Sequence, residues 1–314
     1  MAAFWQDGFE TGDFSAWDDV SQGNHNAVVT DGTANGGPSA GRAGTHFYQS
    51  EVHSGDAFPS AGSGERCEII KGSIQAANGN DRWYGWSSWW PSGLPLSNGT
   101  TACTVVMGQF HSNADANVNP NMNQANVWLV NAPNLAGANL TYTTSNPGLL
   151  LGINGGDPNL AGQRLNINTQ TGGANGDPYT SLVIDLGAAS VYRGAGWVDW
   201  AFHIVWHDAG QGLVELYRRM TGESAWTKIA SQTACSTLYK GFTGYYKIGQ
   251  YRTPTPSGMG IGYAWYDAFS MGTALTDVDP APAAPTRLCT ISRVGGSRTV
   301  NPAGRIPGRG GGGI

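Results

Sequence analysis

Apolar residues along this chain come in short runs, alternating or continuous, separated by stretches of Gly, Asn, Ser and Thr. Alternation with a period of two is the mark of a half-buried strand. It predicts strands near 26–31, 45–52, 66–71, 83–90, 101–111, 126–131, 138–144, 147–153, 181–186, 197–206, 212–218, 245–251 and 262–271. Asp7 to Trp17 reads as a first strand entering a turn. Asp208-Ala209-Gly210-Gln211-Gly212 reads as the turn of a hairpin. No window sustains apolar residues at i, i+3, i+4 and i+7, so a helical core is excluded. Pro91 closes the aromatic strand 83–90, because proline cannot donate to a ladder. The stretches 112–125 and 153–178 are rich in Asn, Gly, Asp and Pro and read as long loops, fit to wall a site. The expectation is an all-β antiparallel sandwich.

Composition agrees with this: of 314 residues, 47 are Gly and 12 are Trp, and only 12% are charged. The character changes after Gly272. One large domain is expected at 4–274, a Pro/Ala linker at 275–285 and an Arg/Gly-rich, poorly ordered tail at 286–314. The net charge of −5 argues against nucleic acid as a partner, since phosphate binding needs a basic face. Five Arg against two Asp after residue 274 contrast with 12 Lys/Arg against 20 Asp/Glu before it. No apolar run is long enough for a membrane helix. The opening Met1-Ala2-Ala3-Phe4-Trp5 has no signal-peptide pattern, yet the composition suits an extracellular or virion-associated protein, expected as a monomer. Cys67, Cys103, Cys235 and Cys289 fit no zinc spacing. One disulfide among the first three, or free buried thiols, are both open.

Three distant segments place their polar residues two positions apart: Arg66-Cys67-Glu68, Gln109-Phe110-His111 and Lys247-Ile248-Gly249-Gln250-Tyr251-Arg252. On strands, i, i+2 and i+4 share a face. One surface would then gather Arg66, Glu68, Gln109, His111, Lys247 and Tyr251, a set suited to removing a proton beside a carboxylate. Each also has a plain reading. Arg66 and Glu68 fit a surface ion pair, Lys247 and Tyr251 an ordinary cross-strand pair, and His111 a solvated strand histidine.

With these motifs, Phe9-Glu10, Trp17, Trp83-Tyr84-Gly85-Trp86-Ser87 and Tyr266-Asp267, the chain resembles the polysaccharide lyases of the concanavalin-type β-jelly roll. It is most similar to the heparin lyase I and glucuronan lyase group, and also to the jelly-roll alginate lyases. The resemblance runs from about Phe9 to Gly272. It implies β-elimination on a uronic-acid polysaccharide: the C5 proton is removed, the 4-linked oxygen leaves, and an unsaturated uronate results. It also implies roles. Gln109 and Arg66 would neutralise the substrate carboxylate as charge develops. His111 would be a general base near neutral pH. Tyr251 would protonate the leaving oxygen, or act as both base and acid where the departing groups are syn. Lys247 would tune the phenol or bind carboxylate.

Two departures bear on the substrate. Ile70 stands where the alginate lyases carry a second Arg, and Phe110 stands where Trp or a β-branched residue is common. With few cations for sulfate recognition, an unsulfated polyuronate such as glucuronan is the expected anionic partner.

Glu68, Trp128 and Arg252 are further candidates for substrate contact, although Arg252 falls on the opposite face of a regular strand. The aromatic strand 83–90 carries bulk on both faces and reads as core rather than a sugar platform. His203 and His207, four apart on a strand, do not suit a metal. Glu10 and Asp267 could hold a structural Ca²⁺ where the first and last strands meet; no cofactor is expected for catalysis. A non-catalytic lectin would not need the titratable row, and a retaining glycosidase needs two carboxylates about 5 Å apart, which no motif here supplies. A structural virion protein is a further alternative.

Overall fold

A computed structural model of the chain describes residues 3–23, 25–56, 65–95, 104–112, 125–128, 140–142, 150–154, 162–170, 179–188, 192–235, 237–238, 243–253 and 258–280. Between 104 and 188 side chains are described only for 105–110, and those at 21, 22, 75 and 253 are not described. The expected tail, and the linker beyond Pro280, lie outside the described residues.

The strands are β1 (Trp5–Asp7), β2 (Asp19–Gln22), β3 (Asn26–Val29), β4 (Phe47–Val52), β5 (Glu65–Ala76), β6 (Asp81–Trp89), β7 (Thr104–Ser112), β8 (Ala125–Trp128) and β9 (Leu140–Tyr142). They continue as β10 (Leu150–Asn154), β11 (Gly162–Gln170), β12 (Tyr179–Ala188), β13 (Val198–Val205), β14 (Gly212–Met220), β15 (Thr227–Cys235), β16 (Gly244–Thr253) and β17 (Gly262–Gly272). One sheet has the order β15-β14-β13-β6-β17-β4-β3, with β1 on β17; the other runs β2-β5-β16-β7-β10-β11-β12-β9, with β8 against β7 and β11. All the strand pairs are antiparallel, as in a jelly roll.

The two sheets meet through aromatic side chains, which carry large apolar area and favour offset or edge-on contact. Tyr84 of β6 lies 4.7 Å from Phe110 of β7, Trp86 lies 5.6 Å from Tyr246 of β16, and Phe202 of β13 lies 5.5 Å from Phe110. Trp86, Trp200 and Phe202 are buried, and truncating any of them to Ala should cost about 3–5 kcal/mol. β6 therefore serves the core with Tyr84 and Trp86, as its two-sided bulk predicted. Its outward Ser87 donates to Asp199, and the Trp89 indole donates to the Gly36 carbonyl.

The structure departs from the expected elements in several places, and β2 (Asp19–Gln22) was not foreseen. The segment 7–17 holds only the end of β1, followed by turns. β11 occupies 162–170, inside the expected loop. β15 was not foreseen; its sequence TKIASQTAC alternates poorly because it is an edge strand with few buried positions. Finally, residues 275–280, expected to begin a linker, pack on the sheet: Val278 is buried over Gly85 and Asp279 pairs with Arg219 at 2.6 Å. Cys67 and Cys235 are buried and unbridged, while Cys103 and Cys289 lie outside the residues with described side chains.

Candidate active site

β16 runs between β5 and β7, and the register brings the three distant motifs together. On the β5 side Lys247 faces Ile70, Gly249 faces Glu68, and Tyr251 faces Arg66. On the β7 side Tyr245 faces His111 and Lys247 faces Gln109. Cross-strand partners share a face. Arg66, Glu68, Gln109, Tyr245, Lys247 and Tyr251 therefore line the side turned from the core. Ile69, Phe110, Tyr246 and Ile248 alternate with them and pack inside.

The register shifts between Ile248 and Tyr251, so that Tyr251 comes opposite Val106. Gly249 sits in this irregularity with φ +132°, and a Cβ there would lie 2.1 Å from the Cys67 carbonyl oxygen. Only glycine fits such backbone.

That meeting is the centre of the row. Gln109 Nε2 donates to Glu68 Oε1. Glu68 is 0% exposed, and Gln109 and Lys247 are 5% exposed each. No described residue donates a hydrogen bond to Glu68 Oε2. Burial pulls the Lys247 ammonium below its usual pKa range; Glu68 pushes it back up and Arg66 adds to the depression. Its Nζ lies 5.7 Å from the Tyr245 ring, whose phenol is pushed up by burial and then by Glu68. At the other end the Arg66 guanidinium sits over the half-buried Tyr251 ring, 4.4 Å from its centroid. Lys71 does not replace the missing second Arg, since it turns to the other side and pairs with Asp18 at 2.9 Å.

The remaining candidates divide. His111 and Trp128 are placed by backbone alone: Trp128 lies opposite Gln109, and the side chains of both lie outside the described residues. Five residues of β7 separate His111 from Val106, the partner of Tyr251, or about 17 Å at the usual strand rise. Two expectations are corrected. Arg252 is not a substrate contact: it lies between the sheets, 0% exposed, with Glu65 at 2.7 Å and the Gly260 and Val52 carbonyls as acceptors. Glu68 is too deeply buried for direct contact and instead holds Gln109. Tyr245 was missed, although its position two before Lys247 was the available signal.

Glu10 and Asp267 lie with the other sheet. Asp267 accepts from the backbone of Arg42, Ala43 and Ala268, at 2.6, 3.0 and 2.6 Å. Burial nevertheless pushes its carboxyl up to about 7. Glu10 accepts from the backbone of Thr45 and His46, both at 2.8 Å. The two carboxylates thus tie down the 42–46 segment. Among the described residues no group of three or more His, Cys, Asp or Glu side chains is arranged for a metal. His203 is held between Glu215 at 3.0 Å and Asp81 at 2.8 Å and stacks on Trp83.

A family model described as polysaccharide lyase matches residues 9–270. The chain belongs to the polysaccharide lyase family. This lyase also resembles solved structures. An endo-β-1,4-glucuronan lyase from Trichoderma reesei matches with a TM-score of 0.57 at 14% identity, covering 90% of this chain and all of the other. An alginate lyase from Aplysia kurodai (TM-score 0.45, 7% identity, 87% of this chain and 100% of that one) and a GH131 β-glucanase catalytic domain from Podospora anserina (0.46, 15%, 87% and 97%) also match. At that identity the likeness to the glucuronan lyase, the one of these three with a TM-score above 0.5, speaks for the fold alone. No curated protein sequence matches the chain. Among the described residues no helix is long and apolar enough to cross a membrane.

Proposed function

We propose that this lyase cleaves an unsulfated D-gluco-configured polyuronate such as glucuronan by syn β-elimination, outside the cell. The supporting observation is the single face that gathers Arg66, Gln109, Lys247 and Tyr251 around a carboxylate that is itself withdrawn from contact.

In a D-glucuronate ring the C5 hydrogen and the O4 substituent are gauche, so one group on one side can serve both. Tyr251 is that group. As phenolate it takes the C5 proton, and the released pair forms the C4–C5 double bond as the C4–O4 bond breaks. The phenol then returns the proton to O4. The Arg66 guanidinium on its ring attracts the negative charge passing through the phenol. Gln109 and Lys247 meet the substrate carboxylate as enolate charge grows, where preorganised donors count most.

His111 stands at the far end of the row, suited to the anti geometry of C5-epimeric uronates or to holding a neighbouring sugar. Two fixed cations on the face suit one carboxylate per residue better than a sulfated chain.

The test is ultraviolet absorbance of the unsaturated product with glucuronan, alginate, heparin, hyaluronan and pectate as substrates. Glucuronan should be cleaved fastest, and His111→Ala should keep more activity on it than Tyr251→Phe. Binding to glucuronan with no product formed from any polymer would reject the proposal.

A further inference from the structure

The Glu68 carboxylate raises a question of its own. A buried charge is costly, and one left with an unmatched oxygen more so. A purely structural position there would be better served by an apolar residue. Glu68 is wholly buried, its Oε1 takes the Gln109 amide, and Oε2 has no described donor. A carboxylate can only accept, whereas the two ends of a glutamine amide are nearly interchangeable in shape. With Glu68 ionised, Gln109 has one allowed orientation, with its NH₂ on the Glu68 side.

We infer that Glu68 is a positioning residue, which sets the orientation of the Gln109 amide and balances the charge of Lys247 so that both meet the substrate as donors. This rests on the lyase reading for what Gln109 and Lys247 do, but the coupling itself is a property of the protein alone.

The charged and titratable groups facing Lys247 are Glu68 and Arg66 on β5, Asp19 on β2 and Tyr245 on its own strand, with His111 at the register position opposite Tyr245. Glu68 and Asp19 favour the ammonium, while burial and Arg66 disfavour it. The protonated form is present below the pKa of Lys247 and is lost as pH rises through it. Removing the Glu68 charge lowers that pKa further, so the alkaline limb of activity must move to lower pH.

The test compares Glu68→Gln with Glu68→Asp, each checked for its fold by circular dichroism. Glu68→Gln should lower kcat/KM about 10- to 100-fold, mainly through kcat, and move the alkaline limb down by about one pH unit. Glu68→Asp keeps the charge and should lose rate while holding the limb in place. The second arm needs no substrate. The chain has four lysines, so carbon-13 lysine spectra, assigned with Lys247→Arg, can follow the Lys247 titration directly. Its midpoint should fall in Glu68→Gln and stay in Glu68→Asp. If the midpoint is unmoved by Glu68→Gln, or if both variants move the limb equally, the inference fails. Should the wild-type protein cleave no polyuronate, the lyase reading fails, and the lysine titration still decides the coupling.

Discussion

β5 and β16 carry two buried acid–base groupings, one on each face, and they behave in opposite ways. On the inner face Glu65 and Arg252 are cross-strand partners, 2% and 0% exposed. Arg252 pairs with Glu65 at 2.7 Å and donates to the Gly260 and Val52 carbonyls, which ties the two sheets together, and Glu65 also accepts from the Gly55 backbone. On the outer face Glu68, Gln109 and Lys247 are as deeply buried, but Glu68 Oε2 has no described partner and Lys247 is held below its usual pKa range by burial. The two sets use the same kinds of residue at nearly the same depth. What separates them is the partner and the side: Arg252 holds Glu65 in an ion pair between the sheets, whereas Glu68 holds the Gln109 amide on the side turned from the core. A carboxylate paired with a guanidinium in the core serves the architecture; one that holds an amide on the outer face is placed to orient it.

The sharpest way to break this contrast is to alter one group on each face. Tyr251→Phe removes a single oxygen from the outer row, and kcat/KM on glucuronan should fall by about 10³-fold or more. Denaturant unfolding should find its stability within about 1 kcal/mol of the parent, because the half-buried ring and its contact with the Arg66 guanidinium remain. Loss of stability matching the loss of rate would erase the distinction. Arg252→Met should do the reverse. It leaves Glu65 charged and unpaired between the sheets, at a cost of about 3–5 kcal/mol, while the molecules that remain folded keep their kcat. Adding Glu65→Leu should recover most of that stability. If the double variant stays as unstable as the single one, the pair is not the source of the cost.

How much of this was legible beforehand follows from the same parity. Arg66 and Glu68, Gln109 and His111, and Lys247 and Tyr251 could be assigned to shared faces by counting in twos; the register of β5, β16 and β7 brings Arg66, Glu68, Gln109, Lys247 and Tyr251 to one side, while His111 is placed by its backbone alone. The same count placed Arg252 on the other face, so its candidacy as a substrate contact already sat against the pattern. The depth of Glu68 could not be read, because it depends on a glutamine 41 residues away reaching across an intervening strand. Edge strands were the other blind spot. β15 is exposed along much of both sides, so its sequence lacks the alternation that marks β4 or β13.

Gly249→Ala sharpens the comparison from the backbone. The +132° φ is hostile to any Cβ, and the strand must shift to clear the Cys67 carbonyl. The expected cost is about 1–3 kcal/mol. Because Gly249 sets the spacing between Lys247 and Tyr251, kcat should fall as well, and that is the informative part. An alanine variant with parental kcat would mean that the irregularity in β16 does not position the row.

The smallest effect is an expected silence at Cys67. This thiol lies between Arg66 and Glu68 in sequence, so any scheme based on proximity along the chain would count it as part of the site. Parity puts it on the inner face beside Tyr48 and Asn26, where burial raises its pKa to about 11. Iodoacetamide at pH 8 should therefore leave native Cys67 unmodified, since the thiolate is the reacting form and is scarce there. Peptide mass spectrometry can locate any adduct among the four cysteines. Rapid alkylation of Cys67 in the folded protein, with loss of lyase activity in step, would put the thiol on the same face as its neighbours. The division of β5 into a face packed in the core and a face that bears the candidate site would then be wrong at its first residue pair.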